Sequence, residues 1–231
     1  MKLPFENHPL IKEFNEIKRY FRKHETPISK KRIGDFYRFS KIINQLGYEV
    51  AFDFVGSLNF GITEPYSDVD FILYLGCEEH LNNDCDEKTC NNYKEVRFLI
   101  LETLMKEYVK EPYKTQVVDC INLQKLDKEL QKKEGIDYDL IFRFAFYRSI
   151  CRGVNLKILK PYHEKLLKRT DLLEKTMPFI DDVIAKFNQT MTNHLSFEKY
   201  RIRLNEQGIK IPYSVINKIK NYLYISNNYT I

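Results

Sequence analysis

Two strand-like stretches, Tyr48–Val55 and Phe71–Leu75, stand close together in a chain that otherwise reads largely as helix. Aromatic and branched residues crowd the first, and the second is an unbroken apolar run, the composition of buried strands. Between them Gly56–Ser67 holds two glycines and Pro65, so the chain turns before the second strand begins. Ile11, Phe14, Ile17 and Phe21 recur at helical spacing within residues 7–24. Ile33, Phe36, Phe39, Ile42 and Ile43 do the same in a second helix, from near Ser29 to Gly47, a natural residue to end it.

A polar, acidic loop follows over 76–93, then a helix over 94–110 and a strand over 114–122 carrying Val117, Val118, Cys120 and Ile121. Beyond residue 124 no stretch reads convincingly as strand. Residues 138–153, 157–168, 171–191, 195–206 and 213–225 each carry helical periodicity. The expected fold is α/β (α+β): a small mixed sheet with flanking helices over residues 1–134, then an all-helical domain over 135–231. The boundary falls near Lys133–Gly135.

Composition narrows the class. Only 8 glycines and 8 prolines in 231 residues argue against a disordered or loop-rich chain. No apolar run approaches the roughly 18 residues needed to span a bilayer. The N-terminal MKLPFENHPLIKEF carries acids and lacks the apolar stretch of a signal peptide. Five cysteines, an odd number, fit a reducing compartment better than a disulfide framework. A soluble cytoplasmic protein with no membrane partner is the expectation. The net charge of +5 suits a polyanionic partner such as a nucleoside triphosphate or RNA, and equally a lysine-rich chain with no such partner.

The chemistry concentrates in Phe54–Phe71. A strand that ends in Gly56-Ser57 exposes backbone N–H groups and a hydroxyl, and Gly56 lets the backbone approach phosphate oxygens closely. The chain then enters the second strand through Asp68-Val69-Asp70. Residues i and i+2 of a strand share a face about 6.7 Å apart, so the two carboxylates can share divalent cations. A cation also answers the several kcal/mol that burying such charges unpaired costs.

These residues resemble the signature of the DNA polymerase β-like nucleotidyltransferase superfamily: Gly-Ser, a further Gly four residues after the Ser, then Ser-Asp-x-Asp leading an apolar strand. Gly56, Ser57, Gly61, Ser67, Asp68 and Asp70 match it without an insertion. The run GSLNFGITEPYSDVDFIL is similar to the corresponding stretch of aminoglycoside adenylyltransferases, minimal nucleotidyltransferases and terminal uridylyl/adenylyl transferases. The resemblance covers about residues 30–125. It implies a mixed-sheet nucleotidyltransferase core, two Mg²⁺ or Mn²⁺ ions, a nucleoside triphosphate (ATP as first choice), and a small-molecule or RNA acceptor. Gly56, Ser57, Gly61 and Ser67 would hold the nucleotide, and Asp68 and Asp70 the metal. The family carries a third carboxylate on a later strand. Gln116–Ile121 is the downstream segment that fits, which makes Asp119 the candidate metal ligand or general base; an ordinary Asp at a strand end is the alternative. Asp127 lies in a helix-like segment and fits less well. A catalytically idle module, such as a toxin–antitoxin component or an RNA-binding scaffold, is the competing reading.

Two further groupings stand out. Cys77, His80, Cys85 and Cys90 form C-x2-H-x4-C-x4-C, four soft ligands within a short loop that could bind Zn²⁺, although the loop lacks the glycines of a zinc knuckle. Arg148, Arg152, Lys157 and Lys160 are candidate cations for phosphates, against the plainer reading of a solvated basic face. Phe142, Phe144, Phe146 and Tyr147 read as core packing rather than base-stacking platforms. His24 and His163 read as surface histidines, and His194 as a loop residue before a helix.

Overall fold

The computed structural model describes residues 3–189 and 191–228, with side chains described up to 184 and over 196–223. A short 3₁₀ turn, Pro4–Asn7, leads into α1 (Pro9–Arg22), whose Leu10, Ile11, Phe14, Ile17 and Phe21 are buried. Thr26 caps α2 (Pro27–Gln45) by accepting from the Ser29 N–H, with Pro27 in the first turn, where its missing N–H costs nothing. The strand β1 (Val50–Phe54) runs into a single helical turn, α3 (Gly56–Phe60), and β2 (Val69–Leu75) follows. Helix α4 (Asn91–Lys94) continues through a π-helical stretch, Glu95–Ile100, into α5 (Leu101–Tyr108). Next come β3 (Thr115–Asn122), α6 (Leu123–Gln131), α7 (Tyr138–Ile150) and the three-residue β4 (Arg152–Val154). The remainder is helical: α8 (Lys160–Leu167), α9 (Thr170–Thr176), α10 (Phe179–Gln189), α11 (Met191–Glu206) and α12 (Tyr213–Asn228). Among the described residues no helix is long and apolar enough to cross a membrane.

The four strands form one mixed sheet in the order β3-β2-β1-β4. β1 runs antiparallel to both β2 and β4, and β2 runs parallel to β3. One face carries Phe52, Phe54, Phe71 and Leu73, which pack with Phe36, Phe39 and Ile43 of α2 and Leu101 and Leu104 of α5. The Phe36 ring meets those of Phe52, Phe54 and Phe71 at 5.1–5.2 Å between centroids. The opposite face carries Ala51, Ile72, Tyr74 and Ile121 and packs against α1 and α7.

A one-residue irregularity in the β2–β3 ladder decides what that second face presents. Phe71 pairs with Val117, but Ile72 pairs with Asp119, so Val118 is bulged out. Because strand side chains alternate, the extra residue moves Asp119 onto the face of Asp70 and Ile72. Regular alternation would have left it on the other side.

The structure departs from the sequence expectation in two places. The chain beyond residue 134 is not wholly helical, since β4 joins the sheet by pairing with Phe52–Phe54 of β1; three residues are too few for strand periodicity to show. The helix expected over 171–191 is two, α9 and α10, parted at Met177-Pro178, because Pro178 has no N–H with which to continue the helical hydrogen-bond ladder. The hydrophobic cluster on the second face of the sheet draws on residues from Leu3 to Tyr222.

Candidate active site

Gly56 stands where β1 becomes α3, with φ +57, in the left-handed region that favours glycine. A Cβ built there would lie 3.3 Å from Asp70 Oδ2, so the glycine-serine bend and the Asp70 carboxylate are in contact distance. Ser57 is half-buried in the first turn of α3. Asp70 is the second residue of β2 and half-buried, while Asp68 is exposed and lies just before the strand rather than on it. Burial, and secondarily the charge of Asp68, raise the Asp70 carboxyl above its ordinary range. The two acids are therefore close enough to repel.

Arginines hold the connection between bend and strand. Arg32 of α2 donates to the carbonyls of Ser67 and Pro65 at 2.5 and 2.6 Å, and its guanidinium lies 4.3 Å from the centroid of the Tyr113 ring. Arg203 of α11 donates to the Ile62 carbonyl at 2.6 Å and pairs with Glu64 at 2.6 Å. Arg22 of α1 donates to the carbonyl and side chain of Asn59 at 2.8 and 2.9 Å. Ser67 accepts from the Glu64 N–H at 3.2 Å and so serves the turn itself. Gly61 ends α3 with φ +77 and lies against Glu25.

Asp119 shares the Asp70 face. From the strand spacings its Cα lies about 8 Å from that of Asp70. Arg143 of α7 grips it with Nη1 at 2.7 and 2.9 Å from the two carboxylate oxygens, and the Tyr147 hydroxyl donates to Oδ2 at 2.9 Å. Arg143 also reaches Asp84 and Asp139, each at 2.8 Å. Burial opposes its charge most strongly, but Asp119, Asp84 and Asp139 together outweigh burial and raise its pKa.

Beside these groups a cavity of about 630 Å³ opens between the sheet and α7, α10 and α11. Gly56 and Ile72 form part of its wall, and Phe146, Tyr147, Phe179 and Tyr200 make the remainder strongly aromatic. Phe142 and Phe144 are buried, as core residues are, though Phe142 also touches the cavity.

Of the candidate phosphate cations, Arg148 is paired with the wholly buried Asp53 and Arg152 with Glu25. Lys157 and Lys160 are exposed. His163 is half-buried, with Nε2 lacking a partner; the side chain of His194 lies outside the described residues, and its backbone falls within α11 rather than in a loop. In the acidic loop the sulfurs of Cys77, Cys85 and Cys90 lie within 4.8 Å of one another, whereas His80 groups with Glu79 and Cys90 instead. Sequence reasoning passed over Arg32, Arg143 and Arg203. Their only signal was a basic residue on an otherwise packed helix, which is not specific enough to assign.

The chain matches no family model, no curated protein and no solved structure at a significant level.

Proposed function

We propose that the protein is a metal-dependent nucleotidyltransferase, moving a nucleoside monophosphate from a triphosphate to an acceptor hydroxyl with release of pyrophosphate. The observation that carries this reading is the placement of Asp70 Oδ2 against Gly56, at the first turn of α3, with Asp68 close enough to perturb it. The first N–H groups of a helix lack intrahelical acceptors and suit phosphate oxygens. The neighbouring carboxylates suit divalent cations, because two anions crowded together in a half-buried setting favour a shared positive charge.

Asp68, Asp70 and Asp119 are the residues that would hold Mg²⁺ or Mn²⁺. A bound pair of such ions supplies Lewis-acid stabilisation to the attacking and leaving oxygens. Gly56 and Ser57 orient the triphosphate, and Arg32 and Arg203 fix the loop that carries Asp68. Asp119 accepts the acceptor's proton at a carboxylate oxygen. The aromatic cavity takes the base, ATP's adenine in the first instance, or the acceptor, and excludes water from the reacting atoms.

Labelled triphosphates with Mg²⁺ or Mn²⁺ and a panel of small-molecule and RNA acceptors test the proposal. Asp68→Ala and Asp70→Ala should each abolish transfer in a protein that remains folded. A double variant that keeps full transfer would remove it. The engagement of Asp119 by Arg143 and Tyr147 favours a second reading, an idle binding module in which that carboxylate is structural. Absence of any thermal stabilisation by triphosphate plus metal would select it.

A further inference from the structure

Away from the carboxylates, four of the five cysteines gather where the acidic loop meets the sheet. Cys77 follows the end of β2, Cys85 lies in the loop, Cys90 begins α4 and Cys120 belongs to β3. All four are buried and none is in a disulfide. The sulfurs of Cys77 and Cys90 are 3.7 Å apart, and Cys85 completes a trio whose members all lie within 4.8 Å. Cys120, on β3, lies near Cys85 but outside the group of sulfurs that are all within 4.8 Å of one another.

We propose that Cys77, Cys85, Cys90 and Cys120 form a structural tetrathiolate zinc site. Four sulfurs at about 2.3 Å around a tetrahedral ion stand about 3.8 Å apart, and the Cys77–Cys90 separation has that value. Between Gly76 and Cys90 the buried residues are the three cysteines alone; Leu81, the one large aliphatic there, is exposed. A loop with no apolar anchor of its own gains one from a metal. The donors around the sulfurs suit thiolates: the Tyr93 N–H points to Cys90 Sγ at 3.3 Å, and the Asn92 amide to Cys77 Sγ at 3.6 Å. His80 is a poorer fourth ligand than Cys120. It is half-exposed and shares its position with the exposed Glu79 carboxylate, whereas Cys120 is buried.

Binding replaces four S–H bonds with four Zn–S bonds and releases four protons to solvent, with no change of oxidation state. The staple has a consequence for the sheet. It fixes the loop that carries Asp84, which pairs with Arg143 and with Lys125 at 2.8 and 3.1 Å. Asp84 thereby helps to hold the arginine that grips Asp119.

Metal analysis of the full chain, expressed with zinc and purified without chelator, tests the site. About one zinc per chain is expected, released by a mercurial reagent and lost at least tenfold in Cys77→Ser, Cys85→Ser, Cys90→Ser and Cys120→Ser. Cys151→Ser and His80→Ala should retain it. Should the serine variants fold poorly, Co²⁺ loaded into the unaltered protein reads the ligand set directly, and an all-sulfur charge-transfer spectrum is expected. Negligible zinc with five titratable thiols would overturn the proposal, as would a mass showing disulfides. Loss of zinc in His80→Ala but not in Cys120→Ser, or a Co²⁺ spectrum with a nitrogen ligand, would overturn the assignment of Cys120.

Discussion

Arg143 and Asp119 face one another across the edge of the candidate site, with both carboxylate oxygens within 2.9 Å of the same guanidinium nitrogen. The pairing separates a structural from a chemical role for Asp119. Arg143 keeps Asp84 and Asp139 as partners if Asp119 loses its charge, so Asp119→Asn should cost only about 1 kcal/mol of stability, the scale of one net hydrogen bond. If Asp119 serves as base or metal ligand, the same change should lower kcat by at least about a hundredfold. Denaturant melts beside initial rates decide it. A destabilised variant with unchanged kcat would leave the residue a purely structural partner.

Gly56→Ala probes the contact that carries the functional reading. The left-handed backbone alone costs a non-glycine residue about 1–2 kcal/mol. Gly135, at φ +59 with nothing within 4 Å of its Cβ position, meets the same backbone cost and no neighbour. Gly135→Ala is therefore the matched control. Both variants should lose similar stability in urea. Only Gly56→Ala should also lose metal-dependent triphosphate binding, by tenfold or more, because its methyl displaces the Asp70 carboxylate. Equal binding by the two would show that the contact plays no part.

How far the sequence carries to this geometry depends on the range of the interaction. The helices before the sheet, the two strands and the bend between them are legible because their signals are local: Phe14 and Phe21 repeat at helical spacing, and Gly56, Asp68 and Asp70 lie within one short segment. The place of Asp119 is not legible in that way. Alternation counted along β3 puts it on the wrong face, and the bulge at Val118 that corrects the count arises from pairing with β2. Cys120 escapes a loop-spacing argument for a related reason. It lies far along the chain from Cys90 and comes near Cys85 only because β3 pairs with β2. Arg148 resembles a free cation in the sequence, because nothing near it announces that Asp53, far away in the chain on β1, is its buried partner.

That buried pair supports a prediction of its own. Asp53 is wholly buried, pairs with Arg148 and accepts from the Tyr74 hydroxyl at 2.7 Å. Arg148→Met leaves a charge in the core with one neutral donor, and should cost about 3–5 kcal/mol. Adding Asp53→Asn removes the orphaned charge, so the double variant should regain much of the loss. Urea midpoints of the single and double variants check this, and a double variant no more stable than Arg148→Met would show that packing, not charge, is at stake.

Lys18 of α1 gives the clearest dependence on pH. It is buried against the Ile150 carbonyl, and burial, reinforced by the charge of Arg22 and less strongly by Arg148, lowers its pKa from 10.5 to about 7; Cys151 and Asp53 pull the other way. Below pH 7 the amine is charged in both the folded and the unfolded chain, and folding bears the full cost of burying that charge. Between about 7 and 10.5 the unfolded chain holds the proton that the folded one has released, so stability rises with pH across that window. Lys18→Met removes the linkage. The variant should be the more stable protein at pH 6, and its advantage should shrink steadily towards pH 10. Melting both proteins over this range, and comparing only the difference between them, cancels the titrations they share. A difference that stays constant would mean that Lys18 keeps an ordinary pKa in the fold.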